Sequence, residues 1–149
     1  MNTTGTWKLN VEKSDYGKRP KPTSLTVNID HKEPSLKYTV IGTDGQGKPI
    51  NIQFAGAIDG NEYSLTGTPN NVATVSAKRI NDTTTESVGK SADGKVVENV
   101  TVTVSPDGKT LTRTAKIQGP DGEFTMKGVY EKQAGDSVGA PKKLTVGVE

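Results

Sequence analysis

Residues 96–117 read VVENVTVTVSPDGKTLTRTAKI, and this stretch decides the fold. Val100, Val102 and Val104 alternate with Asn99, Thr101 and Thr103. Beyond Ser105-Pro106-Asp107-Gly108-Lys109, Leu111, Arg113, Ala115 and Ile117 alternate with Thr112, Thr114 and Lys116. A period of two places alternate side chains on opposite faces of a strand. Asp-Gly between two such runs signals a hairpin, because a tight type I′ turn needs positive φ at both central residues. The stretch therefore reads as two antiparallel strands.

The same pattern extends along most of the chain. Asp-Gly occurs at 44–45, 59–60, 93–94, 107–108 and 121–122, at spacings too uneven for a solenoid repeat. The 149 residues include 20 Thr and 15 Val but only 6 Leu. β-Branched side chains lose rotamer freedom in helices and pack well on a pleated sheet. The alternation predicts ten strands, at 6–11, 24–31, 36–41, 49–55, 62–66, 72–80, 84–90, 96–104, 110–118 and 124–132, with almost no helix. Only one connection, at 12–23, is long. Sequential strands with short links form an up-and-down meander, and a sheet of this size hides its edges by closing into a barrel. A two-sheet sandwich is the alternative, but it usually needs longer Greek-key crossings. The barrel is assigned to residues 1–132. Residues 133–149 read as a flexible tail in which Leu144, Val146 and Val148 suggest one short extra strand.

Composition narrows the function classes. There is no Cys, which removes disulfide scaffolds and thiolate metal sites. A single His makes most metal and nucleophilic arrangements unpromising. No metal or cofactor is expected. Nineteen basic against 17 acidic residues give +2, too balanced for a dedicated nucleic-acid binder. No run of 18 apolar residues suggests a membrane span. The chain opens Met1-Asn2-Thr3-Thr4 without a signal peptide and reaches the first strand at once. A Met so close to the fold suggests a shortened precursor. Thr, Gly and Asn richness without Cys fits a periplasmic or secreted protein, although the cytoplasm allows it equally. A monomer is expected.

Gly5-Thr6-Trp7 at the start of the first strand resembles the first lipocalin motif, and the ten-strand meander is similar to the fatty-acid-binding branch of the calycins. The wider pattern resembles uncharacterised exported lipocalin-like proteins of soil bacteria. It is carried by Gly5-Thr6-Trp7-Lys8-Leu9-Asn10 with Lys13-Ser14, Asp44-Gly45 with Gly47-Lys48-Pro49, Lys78-Arg79-Ile80, and Asp107-Gly108-Lys109-Thr110. The resemblance implies a barrel whose Trp7 sits at the closed end with an arginine packed on it, and an interior able to hold an acid group on arginine. The chain departs from these families in three places. There is no Thr-Asp-Tyr second motif, no helix after the last strand, and no helical character in residues 12–23.

Within a barrel, strand parity assigns an inward face. Arg79, Glu86 and Arg113 fall at one height near the closed end, with Trp7 and Tyr130 close by. Buried charges need partners, so Glu86 is expected to bridge the two guanidiniums, with Arg113 stacked on Trp7. One reading makes Trp7, Glu86 and Arg113 a structural plug. The other gives the spare positive charge to an acidic ligand. Ala73, Ala77, Ala115 and Gly128 are expected to leave a cavity. Tyr38, Ile52, Phe54, Phe124, Met126 and Tyr130 would line it, and Glu98 would face water inside it or pair with Lys90. His31 is expected to be an exposed turn residue. Lys18-Arg19-Pro20-Lys21 forms a basic patch at the mouth, where Asp15 and Tyr16 could make polar lid contacts.

The leading function is binding of a small hydrophobic or amphiphilic molecule, including an anionic one, inside the barrel. The rival is a metal-independent hydrolase or isomerase using Glu98, Arg79, Arg113 and Tyr38 for proton transfer and oxyanion stabilisation. A packed structural or interaction module is the third reading.

Overall fold

The computed structural model describes residues 3–67 and 72–133. Ten strands follow one another: β1 (Gly5–Leu9), β2 (Ser24–Lys32), β3 (Ser35–Thr43), β4 (Pro49–Ala57), β5 (Glu62–Thr66), β6 (Val72–Asn81), β7 (Thr84–Ser91), β8 (Val97–Val104), β9 (Thr110–Gly119) and β10 (Gly122–Lys132). Each pairs antiparallel with its chain neighbours, and β1 also pairs with β10, so the sheet closes into a barrel. No helix occurs among the described residues. This is the expected meander, and it is consistent with a lipocalin- or calycin-like fold. The extra strand suggested by Leu144, Val146 and Val148 lies outside the described residues.

The turns flanking β8 use the Asp-Gly pair differently from the expectation. In Ser91-Ala92-Asp93-Gly94-Lys95, Asp93 Oδ1 accepts from Ser91 Oγ at 2.7 Å and from the Lys95 N–H at 3.0 Å. In Ser105-Pro106-Asp107-Gly108-Lys109, Asp107 Oδ1 makes the same two contacts, at 2.6 and 3.0 Å. Only the glycines, Gly94 and Gly108, take positive φ, 74° in each turn. These are therefore not two-residue type I′ turns. They are five-residue connections in which Asp supplies an acceptor and Gly the left-handed residue.

Residues opposite one another in an antiparallel ladder share a face. Trp7, only 1% exposed, therefore identifies the inside. Its row continues through Val27, Val40 and Ile52. A second row holds Gly128, Arg113, Val102, Thr85 and Arg79. A third holds Phe124, Ile117, Glu98, Gly89, Val75 and Tyr63.

β7 corrects the expected parity. Thr85, Ser87 and Gly89 lie on inward rows, whereas Glu86 is exposed on the outer face opposite Lys78 and Thr101. Glu86 is therefore no part of a closed-end cluster. The reason is steric. A Cβ at Gly89 would come within 2.9 Å of Val72 Cγ1 and 3.6 Å of Glu98 Cβ, so this inward position takes a residue without a side chain. Register shifts between Val72 and Thr74, and between Arg79 and Asn81, interrupt the simple parity of β6 and β7. Val72 is buried where Ala73 was expected to point in.

The core is lopsided. Trp7, Leu25, Val104, Leu111 and Tyr130 form one cluster, and Val100, Ala115 and Ile117 a second. The first draws on β1, β2 and β8–β10, the second on β8 and β9. Across the barrel, the inward Val40, Ile50, Ile52, Leu65 and Val75 remain only partly buried. Beyond β1, the chain continues along the same edge of β10. The Asn10 N–H donates to the Val129 carbonyl at 2.7 Å, and Ser14 Oγ accepts from the Val129 N–H at 3.0 Å. Asp15 and Lys127 form a two-way backbone bridge.

Trp7 fills the closed end and its Nε1–H donates to the Thr3 carbonyl at 2.9 Å. Trp7→Ala should lower unfolding free energy by about 3–5 kcal/mol, read from the urea midpoint at unchanged slope.

Candidate functional site

Arg79 and Arg113 share a cross-strand row, as expected, but their side chains part. Arg113 Nη2 donates to Glu98 Oε1 at 2.7 Å. Arg79 turns to the β2–β3 turn, where its Nη2 lies 2.7 Å from Glu33 Oε1 and its Nη1 donates to Thr85 Oγ1 at 3.1 Å. Each guanidinium has its own carboxylate, so the two arginines leave no spare positive charge. Arg113 does not stack on Trp7. The cation over that ring is Lys132 Nζ, 5.8 Å from the centroid. Glu98 pairs with Arg113 rather than Lys90, because Lys90 lies on the outer phase of β7.

Three tyrosines lie within electrostatic reach of Arg113. Tyr38 lies across the barrel on β3 and stacks on Phe54, with ring centroids 5.1 Å apart. Tyr130 comes from β10. Tyr16 comes from the β1–β2 connection and hydrogen-bonds to Tyr130. Burial raises the pKa of all three. Tyr38 is pushed up to about 12, with Arg113 opposing the shift and Glu98 adding to it. Tyr16 is pushed higher by burial and by its contact with Tyr130, against the pull of Arg113. Tyr130 is also raised, although Arg113 and the Tyr16 bond offset part of the effect. For Arg113, burial disfavours the charge, but Glu98 and the tyrosines outweigh it and hold the guanidinium protonated.

The small residues have a different role from the one expected. Ala115 has no exposed surface, and Ala77 is nearly as buried. A Cβ on Gly128 would meet the Tyr130 ring at 3.0 Å. These positions are thus covered rather than open. The accessible inward surface lies elsewhere: Tyr38, Ile52, Phe124 and Met126 are partly exposed, while Phe54 is buried. Arg113 keeps 35% of its side chain accessible although it points inward. Phe124 carries two cations from the β1–β2 connection, with Lys18 Nζ 5.0 Å and Arg19 Cζ 4.7 Å from its centroid.

His31 also departs from expectation. It is 4% exposed, because Thr3 folds over it at the closed end. The Thr3 N–H donates to Nδ1 at 3.1 Å, Thr3 Oγ1 lies 2.9 Å from the same nitrogen, and Nε2 faces Glu33 Oε1 at 2.6 Å. The order hydroxyl, imidazole, carboxylate looks like a catalytic triad. It cannot act as one here, because the backbone N–H occupies the single Nδ1 lone pair that would take the hydroxyl proton. The arrangement holds the N-terminal segment against β2.

One hollow, of about 770 Å³, runs along β1–β5 and is lined both by outer-phase Asn28, Thr39 and Gln53 and by Tyr38 and Phe54. The other, of about 290 Å³, lies beside Glu86, Asn99 and Lys116. Neither includes Arg113 or Glu98. No three metal-ligating side chains converge among the described residues. No helix among them is long and apolar enough to cross a membrane. No family model matches the chain, and no curated protein matches it.

The interior was partly legible from parity: Tyr38, Glu98, Arg113 and Tyr130 were on the expected inward set. Tyr16 was foreseen only as a lid contact. Its signal was a single aromatic residue in a polar loop, which carries no direction without the strand partner.

All four tyrosines have raised pKa values, including Tyr63 through its bond to Asp59. Folded protein should therefore show little phenolate absorbance near the ordinary value of 10.0, and most of it should appear only at higher pH or on unfolding. The linked stability is present below that value and is lost as the pH rises through the folded values.

Glu33 has a lowered pKa, chiefly through its hydrogen bond from Arg79, with His31 contributing. Its contribution to stability is present above its ordinary value of 4.5 and is lost as the pH falls through the folded value. Half of the Glu33 side chain is exposed, so Arg79→Met should cost less than about 1 kcal/mol. Urea titrations of both proteins should converge as the pH drops into this acid range.

Proposed function

We propose that this protein binds a small amphiphilic molecule inside its barrel. The observation that carries the reading is the partial accessibility of inward side chains, above all Arg113, in a sheet that closes on itself. A filled small barrel would bury these positions. The half-buried wall formed by Val40, Ile50, Ile52, Leu65 and Val75 supplies apolar contact area. Arg113, Glu98 and the hydroxyls of Tyr16, Tyr38 and Tyr130 supply polar groups that orient the molecule. The resemblance of Gly5-Thr6-Trp7 to the first lipocalin motif supports the same reading. Composition without Cys, rich in Thr, Gly and Asn, supports a periplasmic or secreted setting. Among the described residues, Glu98 is committed to Arg113 and His31 to Thr3 and Glu33, so the proton-transfer reading is weaker.

The test uses Nile red, a neutral dye whose emission rises and shifts to the blue in apolar surroundings. Wild-type protein should give a saturable blue shift. Ile52→Trp should fill the partly accessible wall and weaken dye binding by about tenfold or more, with the circular dichroism spectrum retained. Equal binding by both proteins would place the dye outside the barrel and remove the proposal.

A further inference from the structure

We infer that the ligand's polar end is a neutral group that both donates and accepts hydrogen bonds, such as an alcohol or amide, rather than a carboxylate or an amine. The inference rests on the interior-binding reading and specifies its ligand class. Five inward positions among the described residues carry a basic or acidic side chain. Arg79, His31 and Lys132 belong to the closed end, where they meet Glu33, Thr3 and the Trp7 ring. Arg113 and Glu98 remain higher in the barrel, and they pair with each other at 2.7 Å. Among the described residues this pair is net neutral, with Arg113 as the partly accessible member and Glu98 buried beside it.

Its hydrogen-bonding capacity is mixed. A guanidinium has five N–H donors. One described bond, from Nη2 to Glu98, engages Arg113. Glu98 is an acceptor, and the hydroxyls of Tyr16, Tyr38 and Tyr130 lie close enough to influence the pair or one another electrostatically. A neutral hydroxyl or amide can accept from the partly accessible Arg113 guanidinium and donate to a tyrosine hydroxyl oxygen, while Glu98 stays buried behind Arg113. A carboxylate would sit beside Glu98 without a net positive charge to compensate it. An ammonium would meet the same difficulty at Arg113. The interior charge thus discriminates against both ions, which is specificity by repulsion as well as attraction.

The mouth cations Lys18 and Arg19, held on Phe124, would favour an acid on approach. The decisive comparison keeps them unchanged. Decan-1-ol, decanoic acid and decylamine, all with ten-carbon chains, would compete with Nile red on the full chain near neutral pH. Decan-1-ol should displace dye at a concentration about tenfold or more below that of either ion. Glu98→Gln unmasks the Arg113 charge and should improve decanoic acid relative to decan-1-ol by about tenfold or more. Glu98→Gln with Arg113→Gln should abolish that gain. If the single variant does not fold, the wild-type order of the three competitors still decides. Decanoic acid binding wild type as tightly as decan-1-ol would overturn this inference while leaving interior binding intact. Failure of Nile red and of all three competitors to bind would overturn the interior-binding reading itself.

Discussion

The closing seam between β1 and β10 is the join on which the barrel depends. A sheet of ten strands loses its two unpaired edges only when the first strand holds the last. β1 is short and meets β10 through three residue pairs, at Trp7, Lys8 and Leu9. Two devices extend this join. Trp7 is buried beneath the closed end and tied through Thr3 to His31. Beyond Leu9, the chain keeps following β10 through Asn10, Ser14 and Asp15. That course also brings Tyr16 to Tyr130, so the segment that lengthens the seam supplies part of the polar interior.

Pairing of charges organises the inside. Leaving an arginine unpartnered in a low-dielectric space costs far more than pairing it. Arg79 and Arg113 begin on one row, yet each finds a separate carboxylate, one from a turn and one from a neighbouring strand. The first pair helps close the barrel's end. The second remains in contact with accessible space among tyrosines that burial keeps neutral. The two arginines, which sequence parity merged into one cluster, are separated by the directions of their long side chains.

The legible part of this arrangement follows from local periodicity. In β8 and β9 the apolar and Thr-rich faces alternate cleanly, so Glu98 and Arg113 could be placed inside. β7 carries Val88 as its only large apolar residue, so its alternation is weak, and the reading that put Glu86 inward inverted the strand. The inner face instead requires Ser87 and Gly89, because Val72 and Glu98 from the adjacent strands already occupy the space. A packing constraint imposed by neighbours outweighed the preference of one side chain. His31 was missed for a similar reason: the residue that covers it, Thr3, is 28 positions away.

The sequence by itself determined that the chain is all-β, that its strands follow one another as a meander, and which face of most strands points inward. Those properties reside in β-branched composition, period-two alternation and turn chemistry, all of which act over a few residues. Only the tertiary structure decided which carboxylate each arginine takes, that the small inward residues are covered rather than open, and that Tyr16 joins the interior. These choices depend on the register between strands and on contacts between distant residues. A long flexible side chain can satisfy its charge in several directions, and only the assembled barrel shows where the partner lies.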